Sequence, residues 1–255
     1  MQGFVKRRDP PARGSIPEAL GMFRAEVRFY LELAPVVGLR VPVCYRAEEG
    51  DYGTHLVLED LSAWKPGADP TVTAKLLADM HARWEGRVPG QWPWLRPAGA
   101  AADLVQELFD RTWPGLSARD DLTPRVRELG DQLVGRVVAA EREAADAGRL
   151  TLVHGDASMR NLRSSSDGEV VFLDWEDVAA APGVTDLSWL LLSSVEEERW
   201  DAVIAAYGAT PGLVEVLPAA VVQGLLTLAD APVGSDEATG WVGRLESAHR
   251  WLRAA

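Results

Sequence analysis

Apolar and polar residues follow one another along the first sixty positions in an order that predicts a strand, a helix and a β-hairpin. Residues 3–7 (GFVKR) have the character of a short strand. Ser15 and Glu18 form a capping box, which indicates that a helix begins there. An apolar stripe at helical spacing follows, made of Leu20, Phe23, Val27, Tyr30 and Leu31. We expect Pro35 to end this helix, and a β-hairpin to follow over residues 41–47 and 53–59.

The pattern changes after residue 61, where helical periodicity dominates. Asp69-Pro70 ends a turn-rich linker and begins a helix that runs to about Trp84. Residues 85–100, rich in Pro, Gly and Trp, indicate an irregular loop. Further helical segments are predicted at about 101–112, at 124–148, and from about 185 onward with breaks near 208–212 and 232–234. Two short apolar strands, 150–153 and 170–174, lie between them.

This order of elements predicts an α+β fold with two lobes. We expect a small β-rich N-terminal lobe over residues 1–61, a hinge near 58–62, and a large helical C-terminal lobe over residues 62–255. The chain has 255 residues and is 47% hydrophobic, which is enough for two lobes with cores of their own.

The acidic composition narrows the classes of function. A formal net charge of −12 argues against nucleic-acid binding, which normally requires a basic face. It suits a cationic substrate, although most acidic surfaces only increase solubility. The single cysteine, Cys44, excludes an intrachain disulfide. The N-terminus does not resemble a signal peptide, and apolar runs such as DLSWLLL are too short to span a bilayer. We therefore expect a cytoplasmic protein that binds neither nucleic acid nor membrane.

The most informative motif is His154-Gly155-Asp156, followed by Asn161 and then by Asp174 at the end of an apolar strand. The triplet alone could be an ordinary turn. The order Asp, Asn five residues later, and then a second Asp after a strand is the order in which kinases carry a catalytic base and two Mg²⁺ ligands. We expect Asp156 to receive the proton of an acceptor hydroxyl, and Asn161 and Asp174 to hold Mg²⁺ through side-chain oxygens.

These motifs resemble the aminoglycoside phosphotransferase/choline kinase superfamily, the small-molecule kinases with a protein-kinase-like fold. The resemblance implies that His154 supports the catalytic loop, and that Asp186, in PGVTDL, buttresses it. Trp175 directly follows Asp174, and from this position we expect it to shape the acceptor pocket. ATP and Mg²⁺ are the implied cofactors, and a small hydroxyl-bearing molecule is the implied substrate.

The resemblance also assigns a nucleotide side. Lys6 in FVKR would contact the phosphates, and Glu26 in FRAEVRFYLELAP would orient it, although a surface salt bridge is the alternative. The main chain of LVLEDL, through the carbonyl of Glu59 and the N–H of Leu61, would read adenine; an ordinary edge strand is the alternative here. His55, His81 and His249 receive no predicted role.

One family feature is missing from this sequence. Lys6 is the sixth residue, so no glycine-rich hairpin precedes the lysine strand. We therefore expect an N-terminally shortened lobe, weak ATP binding and slow turnover. The leading functional hypothesis is an ATP- and Mg²⁺-dependent phosphotransferase. The alternative is a pseudokinase that binds nucleotide or a partner with little turnover.

Overall fold

The N-terminal lobe is a three-stranded antiparallel sheet against which a broken helix packs. A computed structural model of the chain describes residues 3–254, apart from the side chain of residue 89. The strands are β1 (Gly3–Arg8), β2 (Cys44–Gly50) and β3 (Gly53–Glu59), in the order β1-β3-β2. β3 is therefore central, and its inward side chains Leu56 and Leu58 are buried. The register pairs Lys6 with Leu56.

The helix predicted from Ser15 to Pro35 is interrupted. It consists of α1 (Ile16–Leu20), α2 (Met22–Arg28) and a π-helical turn (Phe29–Leu33). Gly21, at φ 64°, ends α1 with a left-handed residue and begins α2 in a new direction. The capping serine is confirmed, because Ser15 Oγ accepts from the Glu18 N–H. The apolar stripe was wrong at Leu31, which is 60% exposed. The change of direction and the wider π turn shift the buried face onto Phe29 and Leu33.

The C-terminal lobe is helical, with two small sheets beside the interlobe cleft. Asp69 caps its first helix through the N–H groups of Thr71 and Val72, as the sequence predicts. Its helices are α3 (Pro70–Trp84), α4 (Val88–Gln91), α5 (Ala102–Ser117), α6 (Pro124–Asp131), α7 (Val137–Asp146), α8 (Val184–Ser194), α9 (Trp200–Tyr207), α10 (Leu213–Asp230) and α11 (Asp236–Ala254). Its strands are β4 (Lys65–Pro66), β5 (Arg96–Pro97), β6 (Leu150–Val153), β7 (Leu162–Ser164), β8 (Val170–Phe172) and β9 (Ala179–Pro182).

The loops between β6 and β9 connect strands of the two small sheets. One has the order β4-β7-β8 and the other β5-β9-β6. β7 and β8 form a hairpin in which Leu162 pairs with Phe172, and β6 runs antiparallel to β9 with Val153 opposite Ala179. The loops that leave β6 and β8 therefore meet at one edge. The predicted α+β, two-lobed fold is confirmed.

Three local predictions differ from the structure. Residues 85–100 contain α4 and β5 and are not wholly irregular, and the helix predicted over 124–148 is divided into α6 and α7. Among the described helices, α10 alone has the length and apolar composition of a membrane span, which the sequence analysis did not notice. α10 packs against α7, α8 and α11, and half of it is buried, so its apolar residues are accounted for by the core of this lobe.

Candidate active site

The loop after β6, which carries Asp156, contains a glycine that no other residue could replace without strain. Gly155 has φ 86°, in the left-handed region. A Cβ built on it would lie 2.2 Å from the carbonyl oxygen of Asp177. The loop can therefore lie directly on the short 3₁₀ turn Trp175–Asp177, with Asp156 at the cleft.

The Asp156 carboxylate is held by donors from two parts of the lobe. Trp189 Nε1–H, on α8, donates to Oδ1 at 2.6 Å. Asn161 Nδ2 donates to Oδ2 at 2.8 Å and to the Asp156 carbonyl at 3.1 Å. Arg160 lies 3.3 Å from Oδ2. Because the amide nitrogen of Asn161 is used in this way, its amide oxygen is the atom left for another ligand.

Below Asp156 lies a buried polar network centred on Asp186. Its carboxylate accepts from the His154 N–H at 2.7 Å and from the Gly155 N–H at 2.9 Å. The His154 ring lies 2.9 Å, through Nε2, from the Leu173 carbonyl, and the Asp156 N–H donates to Nδ1. In this pattern Nδ1 accepts a hydrogen bond and Nε2–H donates one. His154 thus joins the loop after β6 to the end of β8.

His81, on α3, completes this network, although the sequence analysis gave it no role. Its Nε2 lies 3.1 Å from Asp186 Oδ2, and its Nδ1 lies 2.8 Å from the Tyr207 hydroxyl. Burial alone would raise the pKa of Asp186, but the His81 hydrogen bond and charge, together with His154, hold that pKa below its usual value. Asp186 is thus a buried carboxylate with a full set of donors.

Asp174 lies where ion pairs from the N-terminal lobe reach the C-terminal lobe. Among residues 3–254 it is the one non-glycine residue with positive φ, 58°, which turns its carboxylate into the cleft. Lys6 Nζ is 2.8 Å from Asp174 Oδ1 and 2.8 Å from Glu26. Arg8 lies 3.8 Å from Asp174 and pairs with Glu176. Residues 6 and 26 are therefore neighbours in space, as the sequence predicts.

The carboxylates around Lys6 have unusual proton affinities. Glu26 is 2% exposed, and burial raises its pKa to about 7 against the opposing charge of Lys6. Burial also raises the pKa of Glu176, with a further increase from Asp174. Ligand oxygens of Glu26, Asp174 and Glu176 all lie within 4.8 Å of one another. Such an oxygen cluster has the chemistry that hard divalent cations require.

A cavity of about 380 Å³ opens between the lobes beside this cluster. Its wall includes all six residues predicted for a nucleotide and its metal, namely Lys6, Glu26, Glu59, Leu61, Asn161 and Asp174. The Glu59 side chain is tied back by Arg40, which donates to both carboxylate oxygens at 2.7 Å. Residues 58–62, the predicted hinge, all border the cavity. Tyr30 also lines it, with a buried hydroxyl that has no hydrogen-bond partner in the described chain.

A second cavity, of about 370 Å³, lies on the other side of the catalytic loop. Gly155 and Trp189 form its edge nearest Asp156, and Asp177 lies on its wall. Burial raises the pKa of Asp177 to about 6, and the charges of Glu176, Asp156 and Asp174 add to this increase, while Arg96 opposes it. The Asp156 carboxylate thus contacts one residue of each cavity wall, Asn161 of the first and Trp189 of the second.

Comparison with known proteins identifies the family. The model of the phosphotransferase enzyme family matches residues 3–221. This chain belongs to that family. No curated protein sequence matches the chain. Membership of this family supports the conclusion that the protein is a phosphotransferase that acts on small molecules.

Solved structures of phosphotransferases share the fold at low identity. An aminoglycoside phosphotransferase from Streptomyces rimosus is 18% identical, with a TM-score of 0.62, 88% of this chain covered and 87% of the other. The choline kinase LicA from Streptococcus pneumoniae is 18% identical, with a TM-score of 0.56 and coverages of 98% and 85%. A macrolide 2′-phosphotransferase from Brachybacterium faecium is 18% identical, with a TM-score of 0.53 and coverages of 99% and 85%.

Within this phosphotransferase, one predicted site residue is misplaced. Trp175 was expected to shape the acceptor pocket, but its side chain is fully buried. It stacks on Phe29 with ring centroids 4.0 Å apart and contacts His154. It therefore packs beneath the cleft, and the indole that borders the second cavity is that of Trp189.

Proposed function

We propose that this member of the phosphotransferase enzyme family transfers the γ-phosphoryl group of ATP, with Mg²⁺, to a hydroxyl of a small molecule. Asp156 is the base, Asn161 and Asp174 are the metal ligands, and Lys6 contacts the phosphates under the control of Glu26. The fold relative from Streptomyces rimosus was solved in complex with ADP and streptomycin. LicA was solved in complex with AMP.

One observation carries this proposal: a single cavity between the lobes is lined by a lysine, an amide and carboxylates together with the hinge residues 58–62. Lys6 and Asp174 lie 2.8 Å apart in this cavity, and Asn161 and residues 59–61 line it as well. A nucleotide placed there would have its phosphates beside the charged groups and its base beside the hinge. The alternative of a surface salt bridge does not account for Lys6 and Glu26, whose side chains are 17% and 3% exposed and line this cavity. The alternative of an edge strand does not fit the hinge, because β3 is the central strand of its sheet.

The residues present fit a magnesium ion. The Asp174 carboxylate is about one-third exposed to the cavity, and the amide oxygen of Asn161 is not used in holding Asp156. Mg²⁺ prefers oxygen ligands of this kind and is usually bound through one or two protein groups together with the phosphates. When bound, Mg²⁺ neutralises charge that develops on the transferred phosphoryl group.

The chain's own residues orient and neutralise the reactants. Trp189 and Asn161 fix the Asp156 carboxylate, so that it can accept the proton of a hydroxyl that enters from the second cavity. Glu26 keeps the Lys6 ammonium at the phosphate side of the cleft. Phosphoryl transfer needs mainly such positioning and charge stabilisation.

The test uses two substitutions and one control. Asp156→Asn should lower kcat by more than about tenfold, which is about 1.4 kcal/mol of barrier, while MgATP affinity stays close to that of the parent. Asp174→Ala should lose Mg²⁺-dependent nucleotide binding in calorimetry. The control is Asp167→Asn, on the β7–β8 turn and outside both cavities, which should leave both quantities unchanged.

The same measurements distinguish the proposed enzyme from the pseudokinase alternative. Tight MgATP binding by the parent chain, with no phosphate transfer to any hydroxyl compound in a broad library, would favour a binding module. Retention of kcat in Asp156→Asn would remove Asp156 from the base role. A thermal-shift screen with MgATP and the same library finds ligands, because a ligand that binds the folded state raises the unfolding midpoint.

A further inference from the structure

The second cavity has walls that are apolar over most of their surface. Side chains from four helices of the C-terminal lobe line it, among them Val105 of α5, Ala144 of α7, and Val216 and Ala220 of α10. Leu20 of α1 reaches the same cavity from the N-terminal lobe. A ligand that fills this space therefore removes apolar surface from water on most sides, which favours an apolar ligand body.

The charged groups of this cavity are few and partly paired with one another. Two carboxylates, Asp177 and Glu141, and one guanidinium, Arg96, are on the wall. Arg96 lies 3.8 Å from Asp177. The wall therefore has at most one negative charge in excess. A ligand with several ammonium groups would leave most of them without a carboxylate in an apolar space, at a high desolvation cost.

The placement of Asp177 fixes where one polar group of the ligand can lie. Asp177 directly underlies Gly155, whose α-carbon approaches the Asp177 carbonyl, so both residues belong to the same corner as Asp156. Trp189 borders the cavity and donates to Asp156, so it links this corner to the base. A donor group next to the reacting hydroxyl would therefore face Asp177.

From these contacts we infer that the phosphate acceptor is an alcohol with an apolar body that carries at most one cationic group, next to the hydroxyl. This inference rests on the proposed function and names its substrate class. A polycationic sugar, which the acidity of the chain as a whole would suit, does not match this cavity.

The first experiment measures equilibrium binding, so that its outcome does not depend on turnover. The probes are straight-chain primary alcohols from 1-butanol to 1-octanol, titrated by NMR into the full chain in the presence of MgADP. Each added methylene should lower the dissociation constant by about fourfold, the equivalent of ~0.8 kcal/mol per buried CH₂. A dissociation constant that does not change along the series overturns the inference.

The second experiment locates the binding. Ala219 lines the cavity and is half-buried, so Ala219→Phe fills the cavity with little disturbance of the core. The Ala219→Phe substitution should abolish the dependence of the dissociation constant on the length of the alcohol. Ala202→Phe, at an exposed position of α9 away from the cavity, is the matched control and should keep it. Equal behaviour of the two variants places the alcohols elsewhere and overturns the inference.

The third experiment tests the single cationic group. 2-Amino-1-octanol should bind about tenfold more tightly than 1-octanol, and Asp177→Asn should remove most of that preference. Kanamycin, which carries four amines, should bind more weakly than either; tighter binding of kanamycin, blocked by Ala219→Phe, overturns the inference. If the alcohols bind as expected but no phosphate is transferred to them or to any other hydroxyl, the proposed function fails and the binding preference stands.

Discussion

The orientation of Asp156 depends on a residue that is distant in sequence and close in space. The indole N–H of Trp189 lies 2.6 Å from Oδ1, while Asn161 occupies Oδ2. A carboxylate with a donor on each oxygen has few orientations open to it, which is what a proton acceptor in phosphoryl transfer requires. The motif around Asp156 supplies one of these donors, and α8 supplies the other.

We predict that Trp189→Phe lowers kcat by about 10- to 100-fold with little change in MgATP affinity. The substitution keeps an aromatic ring but removes a hydrogen bond to a charged group, worth about 1.5–3 kcal/mol. The matched control is Trp200→Phe, which removes another buried indole donor, to the Val195 carbonyl, far from the cleft. The control should lower the unfolding midpoint without a comparable loss of kcat. Steady-state kinetics of both variants is the measurement. An unchanged kcat in Trp189→Phe would show that the Trp189 hydrogen bond is not needed to orient Asp156.

Asp156, Asn161 and Asp174 could be predicted as site residues from their spacing alone, because all three lie on one short stretch of sequence in a fixed order. It could not find His81 or Trp189. Each contacts the site only through the packing of its helix, and neither belongs to a local motif. His81 has one signal in the sequence, its position on the buried face of α3, but a histidine there is ordinary core until its partner Asp186 is known.

At the scale of elements, the site depends on how closely the loop after β6 approaches the 3₁₀ turn after β8. The two loops touch at Gly155 and Asp177, and the pairing of β6 with β9 fixes the strands on either side. Protein interiors are densely packed, so a methyl group cannot be added between two backbones without moving one of them. The position of Asp156 is therefore set by a backbone contact.

We predict that Gly155→Ala reduces the free energy of unfolding by several kcal/mol and abolishes activity. Gly168→Ala is the matched control, since Gly168 also has positive φ, 90°, but no atom lies within 4 Å of an added Cβ. Gly168→Ala should reduce the free energy of unfolding by about 1–2 kcal/mol, the usual penalty for a side chain in the left-handed conformation. Urea unfolding of both variants gives the difference. Similar losses in the two would mean that backbone conformation alone matters at Gly155.

The elements that the sequence analysis missed share a physical cause. β5 is an arginine followed by a proline, and β9 is three alanines followed by a proline, so neither has a β-branched run or an alternation to reveal it. They become strands because β5 pairs with β9 and β9 pairs with β6. The longer strands, the capped helix α3 and the breaks near 208–212 and 232–234 were predictable because local chemistry specifies them.

At the scale of the whole molecule, ion pairs across the cleft join the two lobes. Lys6 and Arg8 of β1 reach Asp174 and Glu176 of the C-terminal lobe, and the buried Glu26 holds Lys6 from behind. The pKa of Glu26, raised to about 7 mainly by burial, means that the folded chain binds a proton there more tightly than the unfolded chain does. Between pH about 4.5 and 7 this group therefore makes folding less favourable as pH increases.

We predict that Glu26→Gln removes this part of the pH dependence. The parent should lose up to about 1.4 kcal/mol of unfolding free energy per pH unit through Glu26 between pH about 4.5 and 7. Asp177, whose pKa is raised to about 6, contributes in the same direction and stays in the variant. The measurement is the difference between parent and variant in urea unfolding from pH 4.5 to 8. A difference that does not vary with pH would show that Glu26 stays ionised throughout.

The ammonium of Lys6, 2.8 Å from Asp174 Oδ1, occupies the carboxylate that a divalent ion would need. Under the proposed function Lys6 and the metal compete for this carboxylate, so ligand binding would exchange one cation for another. Mg²⁺ alone should not raise the unfolding midpoint, because it must first displace the lysine. Under the proposed function nucleotide phosphates would offer Lys6 a new partner and release Asp174. Nucleotide and metal would then increase each other's affinity by the same factor, as thermodynamic linkage requires.

We predict that Lys6→Gln, which removes the competing ammonium, allows Mg²⁺ without nucleotide to stabilise the fold in a thermal-shift titration. The absence of any such shift would mean that lysine and metal do not compete.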